Sequence, residues 1–204
     1  MSFDPVGAAL DGLGFGVLAF GVLGVLATST EYGTGLIRAT LTAVPRRGTV
    51  YAAKVLVVAA LTLLFGELFA FITFFLGQAV LSGRHLDVSL TDPGVLRAVS
   101  SAGLYLCVIA LVGSGLGALI RHTAGATAAM FGLVFLAYGI GRALESWSYV
   151  PSRLVLTNAA DVVAQVHAWA PHPRLPSLGL AYLDLALYLA LFLGAGAWRA
   201  SRDA

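Results

Sequence analysis

The stretch AVSSAGLYLCVIALVGSGLGALI, residues Ala98–Ile120, decides the fold class of this chain. It contains no charged side chain, and as a helix rising 1.5 Å per residue it is long enough to cross a hydrocarbon core of about 30 Å. A backbone surrounded by lipid must satisfy its own polar groups, and a helix does so within one segment. The stretch therefore predicts a transmembrane helix.

Four further apolar runs flank this stretch. They are Val6–Ala27, Val55–Leu81, Ala124–Gly141 and Ser177–Trp198. The composition agrees with a membrane protein, because 59% of the residues are hydrophobic and 11% are charged, against roughly 25% charged residues in ordinary soluble domains. We predict an all-α fold, a polytopic transmembrane helical bundle of five spans that forms a single domain over residues 1–204.

Composition and charge exclude several classes of function. Cys107 is the single cysteine, which excludes a disulfide scaffold and a cysteine-ligated metal or redox site. The net charge is +2 and no basic run exceeds Arg46-Arg47, so the chain lacks the electrostatic footprint of a nucleic-acid-binding protein. His167 and His172 have no third ligand nearby in the sequence and are interpreted as surface histidines. We expect neither a metal site nor a nucleic-acid partner.

The positions of Lys and Arg predict the orientation of the bundle. The connections at 28–54, 121–123 and 199–204 are denser in basic residues than the other connections, and we place them in the cytoplasm. The N-terminus then lies outside and the C-terminus inside, with Tyr32, Tyr51 and Trp198 near the inner boundary. The segment 142–176 lies outside, and Leu154–Val166 within it is predicted to form a helix at the outer surface.

The cytoplasmic connection at residues 28–54 carries the most informative pattern. Thr34 is predicted to cap the N-terminus of a short helix that Pro45 ends, because the residue before a proline is pushed out of the α region. So short an element cannot bury all of its apolar side chains alone, and these are Leu36, Ile37, Leu41 and Val44. The helix should lie at the membrane surface or dock on a partner, and the residues alone leave a linker and a docking element open.

This connection reads Glu31-Tyr32-x-Thr34-Gly35-x-Ile37-Arg38-x-Thr40-Leu41, then Pro45-Arg46-Arg47 and Ala53-Lys54. The pattern resembles the first cytoplasmic loop of type-two ATP-binding-cassette (ABC) exporter permeases, especially actinobacterial ones. Further similarity covers Asp92-Pro93-Gly94 and Arg121-His122-Thr123-Ala124-Gly125. Members of this family usually have six spans, with an elbow helix and a first span ahead of the position of Asp4-Pro5. We therefore expect either a truncated start or a five-span variant.

The resemblance implies a transport subunit of a bacterial plasma membrane exporter. The chain has no G-x-x-x-x-G-K-[ST] phosphate loop, so it is expected not to be an enzyme, and ATP with its magnesium would be held by a separate ABC ATPase subunit. This chain itself is expected to hold no cofactor. Its other expected partners are membrane lipid and a second permease, in a homodimer or a heterodimer.

The resemblance also assigns residues to the coupling of ATP-driven motion. In this interpretation Glu31 and Arg38 form ion pairs with the ATPase, while the apolar side chains fill a groove on it. The complete set of coupling residues is Glu31, Thr34, Leu36, Arg38, Leu41, Val44 and Pro45.

Glu67 is the one charged residue of the run Val55–Leu81 and should lie near the bilayer midplane. A charged carboxylate there costs about 2.5–3.5 kcal/mol or more, so it should face protein or water, or stay protonated. Phe71, Phe74 and Gln78 share its face on an ideal helix. This stripe predicts a substrate path or a dimer seam, and a neutral, hydrogen-bonded core glutamate is the alternative.

Small residues predict where helices approach each other closely. Gly113 and Gly117 form a GxxxG pattern. A second strip contains Thr62, Gly66, Thr73 and Gly77, and a third consists of Gly125, Gly132 and Gly139 at every seventh position. We interpret all three as packing signals.

Two other functions compete with the permease. One is an ATPase-independent channel or an immunity-type membrane binder. The other is an intramembrane enzyme that uses Glu67, Asp11 or Asp184 as an acid or base, which is disfavoured because no H-E-x-x-H, paired aspartate or G-x-S-x-G motif is present.

Overall fold

The computed structural model describes residues 4–36, 47–83, 85–136, 139, 156–164, 166 and 177–202. Every regular element in these ranges is a helix. The elements are α1 (Pro5–Leu10), α2 (Leu13–Gly33), α3 (Arg47–Ser82), α4 (Val95–Ile120), α5 (Thr123–Phe131) with a π-helical extension (Gly132–Leu136), α6 (Leu156–Ala164) and α7 (Leu178–Ser201). Four of them, α2, α3, α4 and α7, are long and apolar enough to cross a membrane.

Helix α4 is the centre of the bundle, and most of its side chains are buried. Helices α2, α3 and α7 pack around it. Its glycines permit backbone contact, since a Cβ on Gly113 would overlap the Gly21 carbonyl and a Cβ on Gly117 would lie 2.8 Å from the Val25 oxygen. The predicted GxxxG contact is therefore confirmed, with α2 as the neighbour.

The first predicted span is interrupted. Instead of one helix over Val6–Ala27, the structure has α1, a turn at Asp11 and Gly12, and then α2, which continues to Gly33. Gly12 has a low helix propensity and Asp11 is exposed, so this position favours a turn over a continuous helix. Helix α1 folds against α3, where a Cβ on Gly77 would lie 2.5 Å from the Ala9 Cβ.

The fourth predicted span is described only as far as Leu136, apart from Gly139. Its 14 apolar helical residues, Thr123–Leu136, run alongside α2. The Thr123 hydroxyl lies 3.0 Å from the Ser29 hydroxyl, and Val134 lies beside Val17. Gly132 and Gly139 have open space where a Cβ would stand, so the predicted seven-residue glycine seam is not formed within the described chain. Five spans stay a prediction.

Helix α6 packs against the bundle through one apolar face. Leu156, Ala159 and Val163 repeat at helical spacing and are fully buried against α4 and α7. The Arg97 guanidinium donates to the Val163 carbonyl at 3.1 Å, which fixes α6 at the end of the bundle where α4 begins. The helix predicted over Leu154–Val166 is thus present as Leu156–Ala164, and its placement at the outer membrane surface stays a prediction.

From Val58 to Gln78, helix α3 buries every fourth residue. These positions are Val58, Thr62, Gly66, Ala70, Phe74 and Gln78, and Tyr51 is buried nearer the start of the helix. Because an α-helix turns by about 100° per residue, a four-residue repeat rotates the buried stripe by about 40° at each step. Helix α3 therefore wraps around α4, and residues on one geometric face of α3 meet different surroundings at different depths.

Candidate functional site

Helices α2 and α3 extend into the connection predicted at residues 28–54. Helix α2 continues to Gly33 and α3 begins at Arg47, so residues 34–46 remain between them. The Thr34 hydroxyl donates to the Thr30 carbonyl at 2.9 Å, which places Thr34 at the C-terminal cap of α2. Leu36 is again helical, and the rest of the predicted short helix lies outside the described residues. Leu36 is exposed, as a docking side chain should be. Arg38, Leu41, Val44 and Pro45 lie outside the described residues.

An ion pair joins the two helices at the base of this connection. The Lys54 ammonium donates to the Glu31 carboxylate at 2.5 Å, linking the last turn of α2 to the second turn of α3. The side chains are 31% exposed for Glu31 and 16% for Lys54. Glu31 thus has an internal partner that the sequence pattern did not predict, and its contact with an ATPase stays a prediction.

The described charges are distributed unequally between the two ends of the bundle. The end that contains the Glu31–Lys54 pair also carries Arg121, Arg199 and Arg202. The opposite end carries Asp4, Asp11, Asp87, Asp92 and Arg97, with Asp161 in α6. The orientation itself stays a prediction.

Cations and aromatic rings meet at the basic end. The Arg121 guanidinium stands 5.0 Å from the centroid of the Tyr32 ring and donates to the Arg199 carbonyl at 3.2 Å. The Arg202 guanidinium stands 4.2 Å from the Trp198 ring centroid. The turn between α4 and α5 is thereby held against the ends of α2 and α7.

The residues predicted to line a path do not share one environment. Glu67 is partly buried, and its backbone and carboxyl carbon lie against Gly103 of α4. Phe74 is fully buried between α1 and α4, whereas Phe71 lies at the edge of that cluster. The Gln78 amide accepts from the Val88 backbone N–H at 2.8 Å and donates to the Pro5 carbonyl at 3.4 Å. These contacts give Gln78 and Phe74 packing roles, and a path role for Glu67 stays a prediction.

The predicted small-residue strip on α3 is confirmed as a packing surface. A Cβ on Gly66 would lie 2.8 Å from the Gly103 carbonyl oxygen, and the Thr62 hydroxyl lies 3.4 Å from the Cys107 sulfur. Thr73 contacts the turn at Gly12. This strip fixes how α3 approaches α4 and α1.

The structure also shows polar contacts between spans that the sequence did not predict. The Thr28 and Ser114 hydroxyls are buried and lie 2.7 Å apart, and those of Ser101 and Tyr182 lie 2.5 Å apart. Asp184 of α7 is 4% exposed. A serine or threonine in an apolar run signals such contacts, although the sequence does not identify the partner.

The acids weighed for an intramembrane enzyme lie on separate elements. Asp11 is at the turn after α1, Glu67 is in the middle of α3, and Asp184 is buried in α7. Within the described ranges, no group of three or more His, Cys, Asp and Glu side chains is placed to hold a metal ion.

Comparisons of this chain with protein-family models, with curated proteins and with solved structures gave no match.

Proposed function

We propose that this chain is a membrane-spanning permease subunit of an ATP-driven exporter, coupled to a separate ATPase subunit through the connection between α2 and α3. The observation that carries the proposal is the Glu31–Lys54 ion pair at the base of that connection. It joins two long apolar helices at the basic end of the bundle, where the loop resembling a coupling element begins and ends.

The packing of α2 and α3 supports this proposal. Both helices contact α4 through glycines that bring backbone against backbone, at Gly24 and Ala110 for α2 and at Gly66 and Gly103 for α3. Close-packed helices move as rigid elements, because their contacts are not continuously deformable. A force applied to residues 34–46 would therefore reach the central helix through two neighbours at once.

A charge-swap experiment separates the internal role of Glu31 from a contact with the ATPase. The chain is co-expressed with a candidate ABC ATPase subunit, and co-purification and transport-coupled ATP hydrolysis are measured. Glu31→Lys and Lys54→Glu each break the ion pair, whereas the double variant restores it in reverse. If Glu31 contacts the ATPase, Glu31→Lys loses coupling and the double variant does not recover it.

If coupling recovers in the double variant, Glu31 acts only through its ion pair with Lys54, which joins α2 to α3. The contact with the ATPase would then depend on Leu36 and the residues after it. Activity in vesicles that contain neither nucleotide nor a second protein would overturn the proposal in favour of a channel. Arg97→Lys, at the opposite end, is the matched control and should leave co-purification unchanged.

A further inference from the structure

We propose that the corner formed by the end of α7 and the turn between α4 and α5 binds the headgroup of an anionic phospholipid. The proposed ligands of the headgroup are Arg199 and Arg202, with Trp198 at the level where headgroup and acyl chains meet. This binding is independent of any ATPase, so it can hold or fail separately from the proposed transport function.

The first argument is the continuity of one face of α7. Leu183, Leu187 and Leu191 are each more than half exposed along this helix, and Trp198, 53% exposed, extends the same face toward its end. Arg202 follows one turn later. An acyl chain lying along the leucines would bring its phosphate to the level of the arginines, since tryptophan is enriched at the boundary between headgroups and hydrocarbon.

The second argument is the concentration of positive charge at this corner. Arg199 and Arg202 are both exposed, and the Arg121 side chain is held beside them by its hydrogen bond to the Arg199 carbonyl at 3.2 Å. A bound anion lowers the electrostatic repulsion between these arginines, and a guanidinium matches the geometry of phosphate oxygens. The Arg202 guanidinium is already oriented by the Trp198 ring at 4.2 Å, which lowers the entropy lost when it binds.

The third argument distinguishes lipid from a protein partner. The Tyr51 hydroxyl donates to the Leu193 carbonyl at 3.4 Å, which places a tyrosine of α3 on α7 just before the corner. Tyr51 also lies against Gly196, so this contact covers the inner side of α7. The other side, with Leu191 and Trp198, stays exposed and leads to the cations, as expected for a site that faces the bilayer.

Tryptophan fluorescence in nanodiscs tests this proposal on the full chain. The chain has three tryptophans, so replacing Trp147 and Trp169 by phenylalanine leaves Trp198 as the only emitter. A brominated lipid quenches a tryptophan that it touches. We expect brominated phosphatidylglycerol, as a minor component in phosphatidylcholine, to quench Trp198 more strongly than brominated phosphatidylcholine at the same mole fraction.

The arginine variants give the size of the effect. Because one arginine near an anionic surface contributes about 1 kcal/mol, each of Arg199→Gln and Arg202→Gln should lower the relative affinity for phosphatidylglycerol by about 5-fold. Arg202→Lys keeps the charge and should retain most of the preference. Arg97→Gln removes one charge from the opposite end and should leave the preference unchanged.

Three results would overturn the proposal. Equal quenching by the two brominated lipids would show that the corner does not select a headgroup. Loss of the preference in inorganic phosphate, with no change in sodium chloride of the same ionic strength, would assign the arginines to a soluble anion. An unchanged lipid preference in both arginine-to-glutamine variants, with loss of ATPase co-purification, would assign them to a protein contact.

Discussion

Gly24 shows how closely α2 approaches the central helix. A Cβ at this position would overlap the backbone carbonyl of Ala110 in α4, so neither helix can yield by rotating a side chain. We expect Gly24→Ala to lower the free energy of unfolding by about 1–3 kcal/mol, the usual cost of overpacking a tight core. Thermal unfolding of the purified protein in detergent would measure this loss.

Gly14→Ala is the matched control for that experiment, because it lies in the same helix with open space around the added Cβ. Its stability should stay equal to that of the unaltered chain or rise slightly, since alanine is the better helix former. Equal losses in the two variants would contradict the close approach of α2 and α4.

The buried hydroxyl pair of Thr28 and Ser114 should contribute a measurable coupling energy. Thr28→Val and Ser114→Ala each remove one partner, and the double variant completes a double-mutant cycle. Hydrogen bonds between transmembrane helices average about 0.6 kcal/mol in such cycles, so we expect a coupling energy of that order. Strictly additive unfolding free energies would show that the 2.7 Å contact contributes nothing.

Gln78 joins three segments of the fold. Its amide connects α3 to the start of α1 and to the Val88 backbone in the connection before α4. Gln78→Leu keeps the bulk but removes both hydrogen bonds. We expect faster proteolysis around Val88 and a stability loss of about 1–3 kcal/mol, because the Val88 N–H loses its acceptor.

Glu67→Gln provides the contrast to that variant. It keeps the shape of a side chain that lies against Gly103 and removes only its ability to carry charge. If Glu67 lines the route of the proposed exporter, transport or substrate preference should change while stability and assembly of the proposed dimer stay intact. Loss of assembly in Glu67→Gln would instead give Glu67 a packing role.

Long uncharged runs made the spanning helices predictable, whereas contacts between distant parts of the chain were not. Ala98–Ile120 needed no partner to be recognised as a span, because lipid requires every backbone group to be satisfied locally. The Glu31–Lys54 ion pair depends on the distance and angle between α2 and α3, which a local sequence pattern does not indicate. Glu67 and Gln78 share a face on an ideal helix but differ in burial, because the buried stripe of α3 rotates about its axis.

At the scale of the whole molecule, the structure predicts which positions lie on the same side of the membrane. The ends of α2, α4 and α7 meet at the basic end, and Ser201 is exposed there. Thr91 is exposed at the opposite end, before α4. In a Cys107→Ala background, Ser201→Cys should react with a membrane-impermeant maleimide only after the cytoplasmic face is opened, and Thr91→Cys should react in intact cells. Labelling of both positions from one side would contradict the bundle.

The burial of α4 has a consequence for biosynthesis. Its glycines pack closely against the backbones of neighbouring helices. A newly inserted α4 without these neighbours would expose its small-residue surfaces to acyl chains, which fill them less closely than a helix backbone does. Helices α2 and α3 leave the ribosome before it and supply two of the surfaces that it needs. Helix α7 is translated last and adds the third, where Gly115 meets the Phe192 carbonyl. The order of synthesis is thus also the order in which the central helix acquires its surroundings.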